Sequence, residues 1–545
     1  MESASGKVFR YHEETKHHFH RYARSAGSLD WRNQPDPFRV YAGAARFALP
    51  LLREDPRAGC MALYDRADTP AQAADAGTLG AFFELSLGLS AWKTAGGSRW
   101  SLRMNPSSGN LHPTEAHLVW PGAADLPAGV YHYHPFHHML ERRMALPEAL
   151  GIEIGKALGS GAFMVGVSSI FWRESWKYGE RAFRYCLLDA GHALAALSFS
   201  AALLGWRVTA LNGLTDEAVA ALLGFDRTAW PELAEEHPEL LCAVHPADTE
   251  APRGLPPAII AAFPEVPIAG SPNPLSGRAV NWEIIYEAAA ATRKTTDGGL
   301  EAGPLPDRPF IDAPHPALSA AAVIRRRRSA TAYHAGKGID REVFFGILDK
   351  TLPRRACAPF DLGAAKPSVD LLLFVHQVMG LEPGLYYLLR TTDDPAPMAA
   401  LASPDLPWTP ACTHLPLYLL RSGDFRNTAA KVSCHQDIAG DGVFSLGMIA
   451  EFRKAVAADP HIYRRLFWES GMIGQVLYLE AEAAGIRGTG IGCYFDDAVH
   501  GLLGMADDRR QSLYHFTAGV PVEDRRLGSL PPYGHLEAAR RAGSV

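Results

Sequence analysis

The 545-residue sequence has no Cys-x-x-Cys pair, no basic surplus and no apolar run long enough to be read as a membrane span. Its seven cysteines (Cys60, Cys186, Cys242, Cys357, Cys412, Cys434 and Cys493) are odd in number and scattered. That pattern points to reduced thiols and away from a disulfide framework or a zinc site. With a formal charge of −6 and a pI near 6.4, the chain has no positive excess with which to release counterions, which argues against nucleic acid or an anionic membrane as partner. The longest apolar run, Ala193 to Trp206, is short for a bilayer and holds Ser198 and Ser200, and the first residues carry no signal core. The expected location is therefore the cytoplasm. Four histidines cluster at 12, 17, 18 and 20 without a carboxylate or cysteine at ligand spacing, so no metal site is assigned, and residues 1–50 read as a solvated or substrate-facing extension.

What the chain has is length for two or three domains and a soluble composition, 47% hydrophobic and 21% charged. Apolar spacing predicts a helix over Leu79–Trp92, strands over Ala116–Trp120, Phe163–Ile170, Val369–His376 and Leu513–Ala518, and a long buried helix from about Arg181 to Leu204, interrupted by Asp189 and His192. Gly129 to His138 alternates like an exposed hairpin strand, its histidines read as surface residues. Residues 246–282 hold eight prolines, and residues 293–317 are again Pro- and Gly-rich. The expected organisation is an extension (1–50), a first domain (51–245), a linker with one short helix near Trp282–Ala291 (246–314), and a second domain (315–545).

The two domains repeat each other. Gly191 and Gly205 are 14 residues apart, as are Gly471 and Gly485; Gly205 to Gly224 and Gly485 to Gly504 are both 19. At the same offset of 280, Phe183-Arg184 faces Tyr463-Arg464, Asp189 faces Glu469 and Asp216 faces Asp496. Such agreement predicts two copies of one α+β unit, packed as a dimer within one polypeptide.

The copies differ where chemistry is expected. The first has Ser101-Leu-Arg-Met-Asn-Pro-Ser-Ser-Gly-Asn-Leu-His-Pro-Thr-Glu115, a Pro/Gly-punctuated loop offering hydroxyl, amide and backbone donors without net charge. At the corresponding place the second has Asp361-Leu-Gly-Ala-Ala-Lys-Pro-Ser368. The second copy instead opens with Arg325-Arg-Arg-Arg-Ser329, two guanidinium forks and a hydroxyl in one turn of the kind a phosphate wants. It also carries Gly488-Thr-Gly-Ile-Gly-Cys-Tyr494, whose glycines allow close approach to a ring or phosphate but lack the third glycine of a dinucleotide fingerprint.

These motifs resemble the flavin loop and the Arg-Arg-Ser opening of the nitroreductase-like flavoproteins, in particular the branch containing the SagB-type azoline dehydrogenases. The resemblance implies a nitroreductase-like α+β fold, FMN between two subunits, and one composite site here. Its expected cofactor-binding residues are Pro106, Ser107, Ser108 and Asn110 from the first copy, with Arg327, Arg328, Ser329, Gly490, Gly492, Cys493 and Tyr494 from the second. Thr331 stands where the family usually has a third basic residue, and Arg525 is a candidate supplement. Lys177-Tyr178 resembles the proton-handling pair of azoline dehydrogenases, as catalysis at flavin N5 requires a positioned base. Three readings stay open: a dehydrogenase of a heterocycle or C–N bond, in a small molecule or modified peptide, returning electrons to oxygen; an NAD(P)H-dependent nitro or quinone reductase; and a non-enzymatic degenerate pseudodimer. An intramolecular pair of domains is expected to be monomeric.

Overall fold

The computed structural model describes residues 2–536 except 67–68, 253, 298–304, 315–317, 364–365 and 506. The expected boundary at His315 lies outside the described residues.

Helix α1 (Ala4–Glu14) is followed by strand β1 (Ala45–Ala48), helix α2 (Ala76–Ser86) and the hairpin β2 (Leu89–Ala95)/β3 (Ser98–Arg103). The chain continues through β4 (Thr114–Trp120), β5 (Gly129–His134), β6 (Met139–Ala145), β7 (Phe163–Ser169), helices α3 (Phe171–Tyr178) and α4 (Ala182–Leu203), then β8 (Trp206–Ala210) and β9 (His237–Pro246). After helices α5 (Glu283–Ala291) and α6 (Ala320–Arg326) come β10 (Val369–Val375), β11 (Gly384–Leu388), β12 (Thr409–Pro410), β13 (Leu417–Ser422) and β14 (Phe444–Glu451). Helix α7 (Ile462–Ala483), β15 (Arg487–Ile491), β16 (Arg510–Gly519) and β17 (Gly528–Leu530) complete it.

Two seven-stranded sheets result, in the orders β1-β6-β5-β4-β7-β9-β8 and β12-β13-β11-β10-β14-β16-β15. Six of the seven positions match in spatial order and in chain order within their half; the edge strands β1 and β12 do not. Every pairing in both sheets is antiparallel. With helices on the sheet faces, this is an α+β architecture. A third sheet, β17-β2-β3, joins the C-terminal segment to the hairpin of the first half.

Helices α4 and α7 are buried along nearly their whole length and cross at glycines. A Cβ on Gly191 would lie 2.2 Å from the Trp468 carbonyl oxygen, and one on Gly471 would lie 2.2 Å from that of Leu188. Only hydrogen at both positions lets the backbones touch. The helical stretch Phe171–Leu203 is long and apolar enough to cross a membrane, yet its most apolar window is wholly buried in the protein.

Four expectations change. The helix predicted over Leu79–Trp92 stops at Ser86, and the chain turns into a strand because Gly88 leaves room for the Tyr533 hydroxyl, which a Cβ would approach to 2.8 Å. The N-terminal extension is only partly solvated: residues 24–28 are exposed, but Val8, Tyr11 and His12 are buried, Arg181 Nη1 donates to the Thr15 carbonyl (2.6 Å), and His12 Nε2 meets Gln511 Oε1 (2.9 Å). The hairpin histidines are also interior. His132 sits between Glu115 (3.0 Å) and Glu141 (3.2 Å); burial alone would lower its pKa, but the two carboxylates raise it to about 9. The segment read as a linker also holds more than one helix, since Ser271–Pro272 pairs with Tyr41–Ala42 and Pro257–Ala262 is helical.

Gly191→Ala should lower unfolding stability by ~2 kcal/mol or more in urea titrations, since overpacking against backbone cannot be relieved by a rotamer change. Gly485→Ala, where no atom lies within 4 Å of the added Cβ, should cost only its left-handed backbone strain, at φ +73°.

Candidate functional site

A cavity of about 630 Å³ opens between the halves, and residues far apart in sequence share its wall. Pro106, Ser107, Ser108, Gly109 and Asn110 come from the loop before β4; Arg327, Arg328, Ser329 and Thr331 follow α6; Gly490, Gly492 and Cys493 belong to β15 and the turn after it. Lys93, Trp100 and Ser529 of the third sheet line it as well. Its size suits a cofactor or small-molecule site.

The loop is held in shape by its own polar groups. Gly109, Asn110 and His112 all have positive φ (59°, 60° and 53°), a costly combination that needs support. His112 N donates to Ser107 Oγ (2.8 Å), Asn110 Nδ2 to the Ser101 carbonyl (2.9 Å), and the Ser108 amide and hydroxyl both donate to Asp189 on α4 (3.0 and 2.9 Å). Burial, with no arginine or lysine paired to it, pushes the Asp189 carboxyl up to about 7. Glu174 nearby is raised too, first by burial and then by the Asp189 charge.

At the opposite side the charge is positive. Of the four consecutive arginines, Arg325 pairs with Asp55 (2.7 Å) and Glu84 (2.6 Å), and Arg326 is turned outward near Glu482 (3.6 Å). Arg327 and Arg328 have no ion-pair partner among the described residues. Arg327 is 4% exposed and donates only to the carbonyls of Met104 and Arg103 (both 3.2 Å); Arg328 donates to those of Arg325, Arg327 and Ser90. Burial lowers both, Arg328 to about 10. Two adjoining, largely buried cations without a counter-charge favour an anion in the space they face. On the same wall the buried Asn105 Oδ1 and His112 Nδ1 lack partners and are available to a bound polar group.

The glycines of β15 have a different reason from the one their spacing suggests. A Cβ on Gly490 would fall 1.8 Å from the Tyr514 hydroxyl, and one on Gly492 2.0 Å from Cε1 of Tyr185. They make room for aromatic side chains that build the wall. Tyr478 ties this strand to the arginine turn, accepting from Gly490 N (2.8 Å) and sharing a hydrogen bond with Ser329 Oγ (2.9 Å).

Lys177 and Tyr178 end α3 directly under the loop. A Cβ on Gly109 would meet Tyr178 Oη at 2.7 Å and Lys177 Nζ at 3.1 Å. Tyr178 lines the cavity, while Lys177 stands behind it, Nζ 5.3 Å from the Tyr178 ring centroid. Burial drives the Tyr178 pKa well up, so the phenol keeps its proton.

Two expected binding residues do not reach the wall. The Tyr494 side chain is buried behind it, stacked on His515 (4.3 Å) with its hydroxyl donating to the Ser512 carbonyl (3.2 Å). Arg525 is exposed and points to no part of the cavity lining, whose nearby members are Glu523, Asp524 and Leu527. Residues that spacing did not mark include Asn105, Tyr185, Asp189, His192, Tyr478 and Tyr514, all on the wall. Asp189 could have been suspected, as a lone acid inside an apolar helix.

The corresponding place in the other half is ion-paired. Asp361, in the loop before β10, pairs with Arg66 (2.7 Å) and Arg207 (3.2 Å), and Asn212 Nδ2 donates to the Gly363 carbonyl (2.6 Å). Glu469, at the position of Asp189, accepts from Ser368 N (2.9 Å) as Asp189 does from Ser108, but it is also paired with Arg390 (2.6 Å).

Asp189 supplies a pH test. The folded chain holds a proton that the unfolded chain releases near pH 4, so this stabilisation is full below that and fades as pH rises through about 7. Relative to wild type, Asp189→Asn should therefore gain stability steadily between about pH 4 and 7, by ~4 kcal/mol at most, in denaturant titrations across that range.

Comparison with known proteins agrees with this architecture. Residues 72–235 match the model of the Nitroreductase family. A Methanocaldococcus jannaschii protein provisionally named a nitroreductase is 25% identical over 124 residues, 22% of this chain and 62% of its own length. The chain thus matches less than two thirds of that relative. A crystal structure from Anabaena variabilis, of a protein also provisionally named a nitroreductase, superposes with a TM-score of 0.68 at 22% identity, covering 96% of this chain and 100% of that one. The chain therefore has a nitroreductase-like α+β fold, and its segment 72–235 fits the Nitroreductase family.

Proposed function

We propose that this protein is an FMN-dependent oxidoreductase, built from two diverged copies of one unit, with a single composite site between them. The observation that carries the reading is the pair Arg327 and Arg328, uncompensated by any described carboxylate, facing the same cavity as the Pro106–Asn110 loop. The residues present fit the group. Arg327, Arg328 and the Ser329 hydroxyl would hold its phosphate, and Ser107, Ser108, Asn105 and Asn110 would offer polar contacts to the ring. The ion-paired surroundings of Asp361 leave no matching cradle in the other half, which supports one flavin per chain.

Bound FMN supplies a two-electron hydride acceptor or donor. The chain's own part is to hold a proton beside the substrate. A phenolate at Tyr178 is disfavoured by burial, so its hydroxyl, on the cavity wall, keeps its proton and would donate a hydrogen bond to a substrate C–N unit, with Lys177 packed behind the ring as the second polar group of the pair. Gly109 keeps the loop tight over this pair, and Trp100 with the β2–β3 hairpin limits water entry. Dehydrogenation of a heterocycle or related C–N bond is the chemistry this arrangement suits.

Arg327→Ala or Arg328→Ala should weaken FMN binding on the order of 10- to 100-fold by fluorescence titration, the loss of a charge-assisted phosphate contact. Lys177→Ala should keep FMN and lose roughly 100-fold or more in turnover. Unchanged flavin affinity in both arginine variants would remove the reading, and loss of flavin in Lys177→Ala would make that residue structural.

A further inference from the structure

Cys434 and Cys493 are 59 positions apart, and no spacing rule connects them. The fold lays their segments side by side. Phe495 N donates to the Val432 carbonyl (2.8 Å), Gln436 Nε2 donates to the Cys493 carbonyl (2.9 Å), and the His435 and Phe495 rings lie 5.4 Å apart. These ties set residue 434 opposite residue 493. Cys434 and His435 both have positive φ (55° and 58°), an unfavourable conformation for two consecutive residues with side chains. It turns the cysteine towards β15. Cys493 itself is on the cavity wall.

The N-terminal segment adds a third group. His17 is anchored beside the Cys493 turn, its N–H donating to Asp496 (2.9 Å), and its Nδ1 accepts the Ala23 N–H (3.0 Å), which leaves the proton on Nε2. Arg181 approaches the same turn, donating from Nε and Nη2 to the Gly492 carbonyl (both 3.3 Å). A donor and a cation thus converge on the turn that carries Cys493.

We propose that Cys434 and Cys493 are a redox-active dithiol on the wall of the cavity, closed to a disulfide by a low-molecular-weight disulfide of the glutathione class. The Cys493 thiolate attacks the disulfide RSSR, forming Cys493–S–SR and releasing RS⁻. The Cys434 thiol then displaces the second group as RSH, leaving the Cys434–Cys493 bond. Two electrons pass from the protein thiols to RSSR, and the Cys434 proton leaves with RSH. Cys493 is the attacking sulfur because the hydrogen bond from Cys434, then His17 and Arg181, hold its pKa below the ordinary thiol value, whereas the same contact and burial push Cys434 up. Cys186, Cys242 and Cys357 are buried and raised by burial, which leaves them inert. The closed bond would tie the turn after β15 to the 433–436 loop and take Cys493 away from His17, so cavity shape becomes tied to thiol redox state. This inference stands on the thiols alone and does not depend on which cofactor the cavity binds.

The full-length protein is incubated with oxidised glutathione, digested without reduction and examined by mass spectrometry, and iodoacetamide labelling of Cys493 is followed from pH 4 to 10. A Cys434–Cys493 cross-linked peptide, reversed by dithiothreitol, is expected, together with a labelling midpoint at least one pH unit below the ordinary value of ~8.5. Cys434→Ser should instead trap a stable Cys493–glutathione adduct, and His17→Gln should raise the midpoint while leaving circular dichroism unchanged. The proposal is overturned if glutathione is found only on Cys412, or if Cys493 labels with an ordinary midpoint and no cross-link forms.

Discussion

The contact on which this molecule depends is the crossing of two buried helices at Gly191 and Gly471, where each glycine meets the other helix's backbone. That approach fixes the position of one sheet-and-helix unit against the other. It also sets the height of every side chain on the two helices that faces the cleft. Tyr185 and Asp189 precede the crossing by less than two turns on α4, and Tyr478 follows it by two turns on α7. His192, next to the crossing, reaches Gln475 (3.4 Å) and Tyr514 (3.2 Å) in the other half. A shift of one helix along the other would separate the Ser108–Asp189 contact from the arginine turn it faces across the cavity.

Electrostatics then distinguishes two places that the backbone makes alike. In both, an acid on the long helix accepts the amide of a loop serine. At Glu469, Arg390 supplies the counter-charge, and Arg66 and Arg207 neutralise Asp361 close by. At Asp189 no cation is supplied, and the nearest pair of free arginines faces the opening instead. Closed ion pairs fill one cleft with the protein's own charges, while unpaired groups leave the other able to exchange them with a ligand. The two places thus differ in which arginines meet carboxylates: Asp361 and Glu469 are ion-paired, whereas Arg327 and Arg328 have no such partner among the described residues.

Much of the architecture could be read from apolar spacing. The long helix expected from about Arg181 to Leu204 runs Ala182–Leu203, and the strand expected over Val369–His376 runs Val369–Val375. These segments are buried on most faces, so their hydrophobic runs are unambiguous. The motif residues Ser107 and Ser329 share one cavity, which their spacing alone could not establish. Other features were hidden for physical reasons. The alternation Tyr131-His-Tyr-His looks amphipathic, but both histidines are inside, and His132 is held there by Glu115 and Glu141, a pairing that no local pattern reveals. His12 and His17 likewise find partners, Gln511 and Asp496, almost the whole chain length away. The glycines of β15 are required by Tyr185 and Tyr514, side chains from other elements, so their motif was visible while its cause was not.

The account's central claim is that only one of the two clefts is chemically open. Removing bound flavin from the full-length chain and titrating FMN back while following quenching of its fluorescence tests this most directly. A break at one equivalent per chain is predicted; a break at two equivalents, or no saturable binding, would contradict it.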